Sequence, residues 1–207
     1  LQLIREVFFS EPYSLGKKKI PVLQQSLEPE FKDFAENLSW RKSGVHFATV
    51  SVPGSGMNFA INNLARAKEA ISRNKADVAW IQKTFREAKL MDAKAVVISL
   101  HASLFEVGDG GKFSNSLLRG GRDGPYCWTA RAIRAEAANF ARPVLLINGD
   151  FHDLIIDRPF LVGVGDDKPP KYANITRLQV SGAPELKALR VTVDTDTEWV
   201  FSFSPLY

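Results

Sequence analysis

Two short, unbroken apolar runs constrain the fold of this chain more than any other feature: residues 95–100 (AVVISL) and 143–147 (PVLLI). A strand with one wet face alternates apolar and polar residues, whereas a run apolar at nearly every position is buried on both faces. Such strands belong in the middle of a covered sheet. Residues 45–52 (VHFATVSV) alternate and are rich in β-branched side chains, which makes a third strand. Helical patterns lie between these segments. From Asn62 or Asn63 as N-cap, Leu64, Ala67 and Ile71, then Val78, Ile81, Phe85 and Ala88, recur at helical spacing. They form one long helix or two joined near Asn74-Lys75. A further helix over residues 128–140 stops before Pro143. Strands alternating with helices, then a run of strands at 175–180, 189–193 and 199–203, indicate an α/β sandwich instead of an open nucleotide-binding sheet.

Everything else in the chain fits a single domain over residues 1–207. No internal repeat and no low-complexity segment interrupts it. Residues 11–29 read as a loop with at most one short strand, and 108–111 and 120–125 bracket a loop-rich insertion. Apolar residues at 45% and charged residues at 24% exclude disorder and fibrous classes. A single cysteine, Cys127, excludes an internal disulfide and any Cys-rich zinc site. Lys+Arg 27 against Asp+Glu 23 leaves a surplus of only +4, dispersed apart from Lys17-Lys18-Lys19, which argues against a nucleic-acid partner. No apolar run approaches the ~20 residues of a membrane span, no signal segment is visible, and composition leaves the cellular location open. The chain opens on Leu1 inside an amphipathic helix, with Ile4, Phe8 and Phe9 near the same face. That opening implies a segment upstream of residue 1.

Three strand ends carry polar residues, and in α/β sheets ligands bind outside the carboxyl ends of strands. Gly54-Ser55-Gly56-Met57-Asn58 follows the first strand, His101 the second, and Asn148-Gly149-Asp150-Phe151-His152 the third. A lone histidine after a strand is usually structural, and a loop aspartate usually caps a turn. Together they point further. Asp150 and His152 stand at i,i+2, where an extended segment sends both side chains the same way, and His101 adds a second imidazole. Two ring nitrogens and a carboxylate suit a transition metal. Elsewhere the bland reading wins. Gly163-Val164-Gly165-Asp166 is a loop, because no helix follows before Pro169-Pro170. Asn37-Leu38-Ser39 and Asn174-Ile175-Thr176 are formal glycosylation sequons. Trp40, Trp80, Trp128 and Trp199 read as packing residues, His46 as part of its strand, and Cys127 as a small buried side chain.

On these motifs the chain resembles the C-terminal portion of the calcineurin-like metallophosphoesterase superfamily, in a largely uncharacterised bacterial branch. "VISLHAS" is similar to the superfamily's isolated-His motif, and "PVLLINGDFH" to its final Gly-His-x-His motif, with His152 at the second histidine and Asp150 where the first usually stands. "SVPGSGMNF" looks like the third motif, whose Asn falls at Asn58, and "RPF", "NITRLQVSG" and "RVTVD" are also similar to that branch. Ser51 and Asn148 stand where the branch commonly carries histidines. The resemblance implies a sandwich of mixed β-sheets flanked by helices and lacking its N-terminal strands. It implies metal ligation by His101, Asp150, His152 and Asn58, divalent Mn, Zn or Fe as cofactor, and a phosphoester as substrate. The superfamily's first two motifs, Asp-x-His and Gly-Asp-x-x-Asp, belong upstream of Leu1. The implied activity is metal-dependent phosphoester hydrolysis with the chain alone inactive, and an upstream segment or a dimer partner would cover the sheet. The alternative is a non-catalytic binding or structural module that keeps the fold.

Overall fold

The computed structural model describes residues 2–107, 113–118, 124–160, 172–184 and 187–206. The chain opens with α1 (Gln2–Phe8), β1 (Leu23–Gln24) and two 3-10 turns, then β2 (Leu38–Lys42) and β3 (Val45–Thr49). Next come the short turn α2 (Gly54–Met57), α3 (Leu64–Leu90), β4 (Ala95–Ser99), β5 (Phe105–Val107) and β6 (Phe113–Leu118). The remainder is α4 (Cys127–Phe140), β7 (Val144–Asn148), β8 (Ile155–Asp157), β9 (Ile175–Gln179), β10 (Ala188–Val193) and β11 (Phe201–Leu206). Seven strands form one mixed sheet in the order β1-β2-β3-β4-β7-β9-β8. Its centre, β3-β4-β7-β9, is parallel, and both edges are antiparallel.

The unbroken apolar runs are the central strands, and their two faces go to two different cores. Val96 and Ile98 of β4, with Val144 and Leu146 of β7, face Trp80, Ile81, Phe85 and Ala88 of α3 and Ile133, Ala137 and Phe140 of α4. Ala95, Val97 and Leu145 face the other way, toward Leu189, Val191, Phe201 and Phe203 of the β10–β11 hairpin. Period 2 sends successive residues to opposite faces, so a strand covered on both must be apolar throughout. The molecule is therefore a mixed α/β protein: helices on one face of the sheet, a two-stranded hairpin on the other.

One alternative left open is decided and several local expectations are corrected. The helix from Leu64 is continuous over 27 residues, capped by the Asn63 side chain, which accepts from the Arg66 amide at 3.1 Å. Asn74 does not break it but donates to the Pro125 carbonyl. Residues 38–42 form a strand because Ser43 and Gly44 take φ of 49° and 74°, the left-handed pair that a two-residue hairpin turn requires. Asn37 is wholly buried, and Asn174 spends its amide on the Ala137 and Arg142 carbonyls at the end of α4, so both sequons are structural. Trp80 is core, but Trp128 and Trp199 are mostly exposed. The apolar side of α1 also faces solvent, with Leu3, Ile4, Val7 and Phe8 all at least half exposed. The glycine-rich stretches 108–111 and 163–166 lie outside the described residues, as does part of 120–125. Among the described residues no helix is long and apolar enough to cross a membrane.

Candidate functional site

Because β3, β4 and β7 are parallel and adjacent, the three polar strand ends emerge at one edge of the sheet. The ladder continues past the strands. Ala102 N–H donates to the Val52 carbonyl and Gly149 N–H to the His101 carbonyl, each at 3.0 Å, and Val180 N–H donates to Asn148 at 2.9 Å. Four loops thus leave the sheet side by side with their backbones already paired, which fixes where their side chains start.

Two of the candidate ligands meet. A Cβ placed on Gly54 would stand 3.0 Å from Asp150 Oδ1 and 3.5 Å from His101 Nε2. Glycine here leaves a cradle that any side chain would fill, walled by a carboxylate oxygen and an imidazole nitrogen. Asp150 reaches it from a left-handed backbone, φ 82°, and its Oδ2 accepts from the Ser103 amide at 3.3 Å. Gly149 lets the His101 ring lie close, with Nδ1 3.8 Å from where its Cβ would be. One carboxylate oxygen and one ring nitrogen beside an open cradle fit part of the donor set of a borderline divalent ion.

His152 points elsewhere. Also left-handed at φ 66°, it lays its ring on Gly182, whose Cβ would fall 2.6 Å from Cδ2. Its Nδ1 lies 2.9 Å from the Ala183 carbonyl, so Nδ1 carries the proton and Nε2 keeps its lone pair. Asn58 is used differently again. Its Oδ1 accepts from Arg66 at 2.6 Å and its backbone carbonyl from the same guanidinium at 3.1 Å. Among the described residues no group of three or more His, Cys, Asp and Glu side chains gathers closely enough to hold one ion. The structure brings His101 and Asp150 to one side of Gly54 and leaves His152 and Asn58 with partners of their own.

The residues that hold this edge in place were not visible in the sequence. The Tyr126 hydroxyl, just before α4, accepts from the Gly56 amide at 2.9 Å and the Met57 amide at 3.3 Å, and donates to the Pro53 carbonyl at 3.2 Å. Asn37 Oδ1 accepts from the Ser51 amide at 2.7 Å. Gln179 joins Asn148 Nδ2 to the Asp153 carbonyl. Each bridge crosses a long stretch of chain, and no spacing rule signals it. One string was legible and is corrected here. Residues 149–153 (Gly-Asp-Phe-His-Asp) satisfy the spacing of both Asp-x-His and Gly-Asp-x-x-Asp, so those patterns do occur in the chain, after the third parallel strand instead of upstream. Comparison with protein-family models, with curated proteins and with solved structures returns no match.

Proposed function

We propose that this chain carries the later metal-binding motifs of a metal-dependent phosphoester hydrolase of calcineurin-like sandwich fold. The observation that carries the reading is the approach of His101 Nε2 and Asp150 Oδ1 to the same side of Gly54, where any side chain would crowd them. A strand-end carboxylate and imidazole that share a cradle at the carboxyl edge of a parallel sheet occupy the place where α/β proteins bind ligands. The motif resemblance supports the same residues. In this reading His101 and Asp150 hold the ion, and His152, whose ring lies on Gly182, stays outside its sphere. A bound divalent ion supplies Lewis-acid neutralisation of phosphoryl oxygens. The chain's own residues orient: Ser103 holds Asp150, Tyr126 holds the 53–57 turn, and Gly54, having no side chain, lets Asp150 and His101 come close.

Titration of the 207-residue chain with Mn or Zn is expected to show weak, saturable binding, reduced at least ~10-fold by Asp150→Ala or His101→Ala. Turnover of an aryl phosphate ester by the 207-residue chain is expected near background. Metal binding indifferent to both substitutions would sink the metal reading. Failure to bind either metal would favour the non-catalytic module.

A further inference from the structure

A second polar site lies far from this edge, on the helix side of the sheet. His46 sits mid-strand in β3 at 2% exposure, and neither ring nitrogen has a hydrogen-bond partner. A buried polar atom without a partner is costly, and in native proteins a water or a ligand usually satisfies it. The ring forms part of the wall of a cavity of about 500 Å³ between β1, β2 and the C-terminal half of α3. That volume is in the range of small-molecule sites. Pro21, Val22, Leu23 and Met91 give the cavity an apolar body, and Arg41 and Glu87 supply its charges. Glu87 Oε2 is 3.9 Å from His46 Nε2, too far for a hydrogen bond and near enough for one bound group to touch both.

The chemistry of the wall selects the ligand. Arg41, directly opposite His46 in the β2–β3 pair, repels a cation, and Lys83, 3.9 Å from Glu87 Oε1, adds to that. Glu87 repels an anion. Burial first, and the Arg41 charge second, push His46 down to about 4, so at neutral pH it is an uncharged ring with one N–H and one lone pair. A metal ion is poorly served, because among the described residues no third carboxylate, imidazole or thiolate joins the pair. What fits is an uncharged head with a donor and an acceptor side by side. We propose that the His46–Glu87 cavity is a binding site for a small ligand bearing a primary carboxamide on an apolar body. One of its N–H groups donates to Glu87; its carbonyl oxygen accepts from His46 when Nε2 carries the proton, and its second N–H donates to Nε2 when it does not, while its body lies against Val22, Leu23 and Met91.

Three probes of matched shape test this: benzamide, benzoate and benzylammonium, titrated into the full chain while the ring resonances of His46 are followed by NMR. Saturable perturbation by benzamide, at least ~10-fold stronger than by either charged probe and weakened at least ~10-fold by Glu87→Gln, is the expected result. Arg41→Met is expected to relax the exclusion of benzylammonium while leaving the fold intact, since Arg41 is exposed. Equal binding of all three probes, perturbation by zinc but not benzamide, or benzamide binding unchanged by Glu87→Gln would each overturn the assignment. So would a crystal soaked in benzamide that shows only water against His46.

Discussion

The molecule holds two polar clusters near one end of β3, and they are built on opposite plans. Under the helices, Asn37 donates to Gln25 Oε1 at 2.7 Å and to Asp77 Oδ1 at 3.1 Å, while Gln25 donates to the Ala76 carbonyl at 2.8 Å. All three side chains are 0–1% exposed. At the carboxyl edge, His101 and His152 are exposed, and the His152 ring is positioned by Gly182 and the Ala183 carbonyl. The inner cluster spends its side-chain polar atoms on the protein, all but Asp77 Oδ2, and the outer one turns its groups to the solvent side. Asn37 links them, because its Oδ1 holds the Ser51 amide at the start of the outer loop. Buried polar groups that satisfy one another fix a unique arrangement, whereas a site that binds something must keep donors and acceptors in reserve.

The largest expected effect comes from breaking the inner cluster. Asn37→Ala strands the Ser51 amide, Gln25 and Asp77 together, and stability should fall by about 3–5 kcal/mol in urea unfolding at neutral pH. A loss under ~1 kcal/mol would show that water replaces the amide and that the cluster is not closed. Next is its charge. Burial pushes the Asp77 carboxyl up from an ordinary 3.8 to about 8, outweighing its bond from Asn37. The folded protein therefore keeps a proton that the unfolded chain releases. That contribution is whole below about pH 4 and is lost as pH rises through about 8, on the order of a few kcal/mol. Asp77→Asn should flatten the decline between about pH 6.5 and 8. The acid side carries the opposite sign. His46, pushed down from 6.5 to about 4, refuses a proton that the unfolded chain accepts. Its share of stability is lost as pH falls from about 6.5 toward 4. A stability curve for Asp77→Asn that still falls above pH 6.5 would assign the slope to another group.

The smallest effect on stability, and the most specific one, belongs to the outer cluster. Gly182→Ala puts a methyl 2.6 Å from the His152 ring, and because that ring is exposed it swings away instead of straining the core. Unfolding should shift by less than ~1 kcal/mol while the His152 resonance moves and its bond to Ala183 is lost. Gly54→Ala, crowding Asp150 Oδ1 at 3.0 Å, should lower divalent-ion affinity about 10-fold at similarly small cost to the fold. A large stability loss from either glycine would mean that the outer cluster is structural after all, and the contrast between the two would fail.

The sequence by itself determined the central strands, the two long helices and the three strand ends, because burial on both faces and helical periodicity are local patterns written in consecutive residues. AVVISL could only be a covered strand, and whatever followed it had to emerge at the edge of the sheet. It also supplied the candidates His101, Asp150, His152 and Asn58, but not their company. The tertiary structure alone decided that Asp150 meets His101 across Gly54, that His152 folds onto Gly182 and that Asn58 is tied to Arg66. Left-handed backbone at Asp150 and His152 breaks the extended geometry on which an i,i+2 argument rests; Asp and His adopt it more often than most residues, but still too rarely for residue type alone to signal it. Tyr126, Asn37 and the His46 cavity escaped notice for a related reason. Their partners lie 12 to 70 residues away in the chain, and proximity at that separation is created only when the sheet and its helices assemble.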